Sequence, residues 1–203
     1  MKKIDYRIEI CKYIKKNYPD LYLEADTLPK PYIGKSTIRA IVLGADPSNT
    51  IPNEKFKFVF GLEKINSQYF GIIGRNLSSL GLGLDEIYVQ NVIQNYFKVE
   101  TSKNKKWWGC AMIWLEYLKR ELDEKFNRNV PVFATSWEIF KLMVGKYPMK
   151  NVSPQSIYTD IKILKAEDNY LNRSLIGLFR HPRYLVTKWP DYITAAKKEI
   201  PKP

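Results

Sequence analysis

Arg39-Ala40-Ile41-Val42-Leu43-Gly44-Ala45-Asp46-Pro47-Ser48 is a short apolar run that stops on a glycine, an acid and a proline. Residues 40–43 show no alternation with polar side chains, the pattern of a strand covered on both faces, as in parallel sheets. Gly44 permits a tight turn with close backbone approach, and Pro47 stiffens its exit. The segment therefore reads as a buried strand that ends abruptly and leaves Asp46 facing whatever lies beyond the sheet.

Working outward, residues 87–93, 130–134 and 174–179 are similar apolar runs, and stretches of helical periodicity separate them. Residues 68–80 fill the first gap. Residues 107–126 fill the second, with Trp108, Met112, Leu115, Leu118, Leu122 and Phe126 on one stripe, and residues 137–144 fill the third. Upstream, within residues 4–24, Ile4, Ile8, Cys11, Ile14 and Tyr18 have the spacing of an amphipathic helix that ends near Pro19 and Asp20, followed by a Pro- and Lys-rich linker over 27–37. Residues 157–166 offer a further strand, and 189–200 a closing helix stopped by Pro201 and Pro203. Strands alternating with helices of this length imply parallel pairing through right-handed crossovers. The expected fold class is α/β, a three-layer sandwich with a central, mostly parallel four-stranded sheet flanked by helices. It forms a single domain over 1–203 with an N-terminal helical segment to about residue 36.

The 203 residues are 45% hydrophobic, 27% charged and 14% aromatic, which excludes a disordered tail or a fibrous repeat. No apolar run approaches the roughly 20 residues needed to span a bilayer. Met1-Lys2-Lys3-Ile4-Asp5 leads into a charged segment, unlike a secretion signal. The expectation is a soluble protein without a membrane partner, cytoplasmic (nucleoid-associated) or otherwise intracellular. Cys11 and Cys110 are too few for a disulfide framework, a four-cysteine iron-sulfur cluster or a Cys-rich zinc module. Lys and Arg exceed Asp and Glu by 33 − 21 = 12, with a pI near 9.5, and that excess points to a polyanion, nucleic acid foremost. Gly34-Lys35-Ser36-Thr37 imitates the end of a phosphate-binding loop, but Pro29 stands where its first glycine belongs and the segment precedes a strand.

Ligands of open parallel sheets bind beyond the carboxyl ends of the strands, so the residues there carry the chemistry. The first strand delivers Asp46. The second carries Asn91 near its end, followed by Gln94 and Asn95. The fourth delivers Arg180-His181-Pro182-Arg183-Tyr184-Leu185, which contains the only histidine of the chain. Singly, an Asp-Pro pair is turn chemistry, an Asn in a strand is a hydrogen-bonded structural residue, and a His-Pro pair packs a loop. Together they bring an acid, an amide and an imidazole to one sheet edge, near the aromatics of Phe56-Lys57-Phe58-Val59-Phe60-Gly61.

In this order the chain resembles the uracil-DNA glycosylase superfamily, whose first motif, Gly-x-(Asp/Asn/Ala)-Pro-x, follows strand one and whose last is His-Pro-x-x. Residues 44–48 and 181–184 match. The resemblance implies a DNA glycosylase that hydrolyses the N-glycosidic bond of uracil or a related deaminated base in DNA, in base excision repair. It implies neither metal nor other cofactor, no covalent enzyme intermediate, and a monomer. Asp46 then corresponds to the acid that positions or activates water and stabilises the cationic sugar, and His181 to the donor on the base's O2. Asn91 matches the amide that pairs with the edge of a flipped uracil. Gly44 and Ala45 line the base site, and Phe60 or Phe58 stacks on the base. Ser48, Arg183, Tyr184 and Leu185 correspond to DNA-contacting positions, the last two in the loop that fills the gap left by the flipped nucleotide. Lys103, Lys105, Lys106 and Arg183 offer phosphate contacts.

Two positions depart from the pattern. Ser48 replaces the bulky Tyr that excludes thymine in the best-known branch, and Arg183-Tyr184 follows His-Pro where Ser-Pro is usual. The cysteine count excludes the iron-sulfur branches. Two other readings stand beside this one: a catalytically silent DNA- or nucleotide-binding module on the same fold, and an enzyme acting on a free nucleoside or on a base such as hypoxanthine or xanthine.

Overall fold

Residues 6–47, 56–63, 70–144 and 152–203 are described by the computed structural model. Along the chain the elements are α1 (Tyr6–Asn17), β1 (Tyr22–Leu23), β2 (Tyr32–Ile33), β3 (Ala40–Gly44), α2 (Gly71–Ser79), β4 (Ile87–Asn91), β5 (Tyr96–Phe97), α3 (Trp107–Lys125), β6 (Val132–Ala134), α4 (Trp137–Val144), α5 (Ser156–Thr159), β7 (Leu175–Gly177) and α6 (Pro190–Glu199).

The continuous apolar runs form the sheet. Every residue of β3, β4, β6 and β7 is buried, as both-face coverage requires. The strand order is β2-β4-β3-β6-β7, with β3 parallel to both β4 and β6, and β6 parallel to β7. The sheet has five strands, not the expected four, because β2 adds an antiparallel edge to β4. It comes from the stretch read as a linker. Two residues carry no periodicity, and their pairing depends on Gly34, where a Cβ would lie 2.2 Å from the Asp85 carbonyl oxygen. β1 and β5 form a separate antiparallel pair, also unanticipated.

The first helix and the segment 157–166 compare differently with expectation. The first helix ends at Asn17, two residues before the expected end near Pro19, and Tyr22 and Leu23 beyond it pair with β5. Residues 157–166 do not form a strand. Ser153 and Ser156 cap each other's backbone N–H groups and start the single turn of α5, and Ile161 then takes a left-handed conformation (φ 51°). Only Leu164 bridges to Leu175.

The stripe on α3 agrees with the expected one at Leu115, Leu118 and Leu122, with Phe126 packed on the core, and departs from it over the first turns. Trp107, Cys110, Ala111, Trp114, Leu115, Leu118 and Leu122 face inward, whereas Trp108 is 43% exposed and Met112 48%. The far end of α3 is capped from a distance. Fully buried Arg173, two residues before β7, donates to the carbonyls of Leu122 and Phe126 at 3.0 and 2.8 Å, to that of Asn127, and to Asp123 at 3.2 Å. Orphan carbonyls of the last helical turn thus gain charged donors.

α3 packs against α1 and α4, while the turn at Val186–Lys188 packs against α2 and α6. Parallel pairing places the carboxyl ends of β3, β4, β6 and β7 on one edge. Among the described residues no helix is long and apolar enough to cross a membrane.

Candidate active site

The four strand ends open onto a cleft of about 910 Å³ that contains Ala45, Asp46, Asn91, Thr135, Arg180 and His181 in its walls. Its carboxylate is the most constrained of these groups. Asp46 is only 9% exposed, and its Oδ2 accepts hydrogen bonds from Thr101 Oγ1 and from the Trp107 indole Nε1, both at 2.8 Å. Burial pushes the Asp46 carboxyl up to about 6, against the opposing pull of those two donors and of the nearby Arg180 charge. A carboxylate there is ionised at neutral pH and still basic enough to accept a proton, as a general base must be.

Gly44 and Asn91 lie opposite each other in the β3–β4 register. A Cβ on Gly44 would come within 2.2 Å of Asn91 Oδ1 and 2.7 Å of Phe60 Cζ, so the glycine lets the amide and the ring close over the strand end. Asn91 is buried, and its side-chain amide makes no hydrogen bond among the described residues, although its backbone N–H donates to Gln90 Oε1 at 2.9 Å. The amide carries both a donor and an acceptor, the chemistry that reads the edge of a ligand.

Phe58 and Phe60 both reach the cleft. The chain makes a tight turn over Val59–Gly61, with Phe60 and Gly61 both left-handed at φ 60° and 64°. Phe60 meets Phe70 edge-on, while Phe58 packs against Tyr32. A left-handed phenylalanine costs about 1–3 kcal/mol and persists only where its surroundings demand it. Here Glu63 holds the turn, its two carboxylate oxygens accepting the N–H groups of Lys57 and Phe58 at 3.1 Å each.

His181 is exposed on the opposite wall. Its Nδ1 accepts the backbone N–H of Arg183 at 3.2 Å, so in the neutral ring the proton sits on Nε2, which is left as a donor. Arg183 is exposed with its guanidinium over the Tyr184 ring. Tyr184 is not a free wedge: it stacks on Tyr158 and meets Phe179 edge-on, and its carbonyl accepts from Asn76 at 3.1 Å. Leu185 follows half-buried. Ser48 lies outside the described residues. Of the lysines, Lys105 lines the cleft, Lys103 pairs with Glu100 at 3.2 Å, and Lys106 precedes α3 at the surface.

Sequence reasoning missed Thr101, Trp107, Thr135, Ser136 and Glu138. The last three follow β6, the one strand end left unread. Nothing local marks Thr101 or Trp107, whose bonds to Asp46 span 55 and 61 residues. Among the described residues no three His, Cys, Asp or Glu side chains gather to hold a metal ion. No protein-family model matches the chain, and no curated protein matches it.

Proposed function

We propose that this protein is a DNA glycosylase of the uracil-DNA glycosylase type, hydrolysing the N-glycosidic bond of uracil or a related deaminated base in DNA. One observation carries the reading: a buried, proton-accepting Asp46 shares a strand-end cleft with Asn91, whose amide makes no hydrogen bond among the described residues, and with a His181 that presents Nε2–H. With the right-handed crossovers usual for parallel strands, this strand order sets α2 on one face of the sheet and α3 and α4, which touch each other, on the other, which supports a three-layer sandwich.

In the proposed reaction the bond between the sugar C1′ and the base nitrogen breaks, and its electron pair leaves with the base. The sugar becomes an oxocarbenium ion next to the Asp46 carboxylate. Water then adds to C1′ and passes its proton to Asp46. The departing base carries negative charge on O2, and His181 Nε2–H donates to it; one such donor is worth about 3 to 4 kcal/mol. Asn91 pairs with the edge of the flipped base and Phe60 covers its face. Because Tyr184 is held in an aromatic cluster, strand contact at this loop falls to Arg183 and Leu185, with Tyr184 as their support.

The test is base release from oligonucleotides carrying uracil, hypoxanthine or xanthine, read as abasic sites cleaved by alkali. Abasic sites with any of these support the proposal and name the base. None with all three, despite binding to DNA, favours the silent binding module.

A further inference from the structure

The helix that anchors Asp46 begins with two tryptophans pointing different ways. Trp107 is buried and bonded to Asp46, whereas Trp108 stands at the rim of the same cleft, 43% exposed, with Met112 one turn further along the same helix face. Trp108 and Met112, four residues apart on one helix, together expose an apolar patch beside the cleft, the kind of surface that marks a ligand-binding groove. Trp108 does not reach the rim on a loose loop. Thr101 ties the preceding turn to Asp46 at 2.8 Å, and Asn104 Oδ1 accepts the N–H of Lys106 at 3.0 Å. The Trp107 backbone N–H donates to the Asn104 carbonyl at 3.0 Å. The residue that fixes the carboxylate therefore fixes the neighbouring indole at a set place relative to it. Lys105, exposed and also in the cleft wall, lies between these anchors, with exposed Lys106 beside it.

A flat apolar ring flanked by cations suits one ligand chemistry: an unpaired nucleobase for the ring and its phosphates for the lysines. We propose that Trp108 and Lys105 form a subsite for single-stranded nucleic acid, in which Trp108 stacks on the base next to the one in the cleft and Lys105 meets the intervening phosphate. The proposal rests on the glycosylase reading for the identity of the strand, and it makes unpaired DNA the preferred substrate. A neighbouring base still paired and stacked in a duplex offers the indole no open face.

The test uses the full chain and an undamaged single-stranded oligothymidylate of 15 nucleotides, with binding followed by fluorescence anisotropy at two or more salt concentrations. Trp108→Ala weakens binding about tenfold or more, and Trp108→Phe retains most of it, because stacking on one base is lost in the first and kept in the second. Lys105→Gln lowers the magnitude of the slope of log affinity against log salt by about 0.7, one phosphate's share on a single strand. Both side chains are exposed, and circular dichroism checks that the variants fold. Unchanged affinity of Trp108→Ala for the oligothymidylate overturns the subsite, as does an equal loss of affinity for a duplex of the same length. Base release is measured alongside on a uracil-containing single strand. Binding through Trp108 with no release of uracil, hypoxanthine or xanthine from single strands keeps the subsite and removes the glycosylase reading; release by wild type together with unchanged binding by Trp108→Ala does the reverse.

Discussion

Trp107 donates its indole N–H to Asp46 Oδ2 at 2.8 Å, joining the first turn of α3 to the carboxylate just beyond β3. Hydrogen bonds to the ionised form hold a carboxyl pKa down. Trp107→Phe keeps most of the volume but removes the donor, leaving Thr101 alone on that oxygen. The acid limb of the kcat/KM profile, expected near pH 6, then moves upward, and the rate recovers at high pH. A rate lowered equally at every pH would show that Trp107 only supports the fold.

Asp46→Asn separates stability from activity. The folded carboxyl titrates at about 6 against a usual 3.8, so between those values the native state binds more protons than the unfolded chain. Stability is therefore lost as pH rises through that window, and above it the ionised group costs up to about 3 kcal/mol. Asn keeps an oxygen for Thr101 and Trp107 and carries no charge. Thermal unfolding at pH 7.5 is expected to show a higher midpoint for Asp46→Asn than for wild type, with the difference gone at pH 4. Base release falls at least a hundredfold. An equal or lower midpoint at pH 7.5 would contradict the buried, destabilising charge.

Gly44→Ala places a methyl group 2.2 Å from Asn91 Oδ1 and 2.7 Å from Phe60 Cζ. Both residues must move, and overpacking of this kind costs about 1 to 3 kcal/mol. The expected outcome is a folded protein with a lower urea midpoint and a large loss of uracil release, dominated by base recognition. Wild-type activity in this variant would remove Asn91 and Phe60 from the base site.

Arg173→Met tests the fold apart from the site. It leaves the carbonyls at the end of α3 without their charged donor, and breaking one partner of a buried charged network costs about 3 to 5 kcal/mol. Urea denaturation should show that loss. Specific activity at low temperature should stay close to wild type, because Arg173 is not among the residues lining the cleft.

What the sequence revealed follows from how each feature is encoded. β3, β6 and β7 are buried on both faces and appear as unbroken apolar runs, while β4 begins as one and ends on the buried amides Gln90 and Asn91. Asp46, Asn91 and His181 follow from the rule that ligands sit beyond parallel strand ends, and all three line the cleft. The two-residue strands β1, β2 and β5 were illegible because pairing that short depends on tertiary contact. On α3 the spacing of Leu115, Leu118 and Leu122 marked the buried face, but at its start Trp107 and Trp108 are equally apolar and only the bond to Asp46 distinguishes the one that turns inward. The β-branched residues of 157–166 suggested a strand, but the Ser153–Ser156 cap and left-handed Ile161 override propensity there.

The most direct test compares wild type, Asp46→Asn and His181→Ala on a single-stranded oligonucleotide carrying one uracil, with abasic sites counted at pH 7.5. Release by wild type, reduced about a hundredfold or more in each variant, is the expected result. Release undiminished in Asp46→Asn, or none from wild type with uracil, hypoxanthine or xanthine, would contradict the glycosylase reading of this cleft.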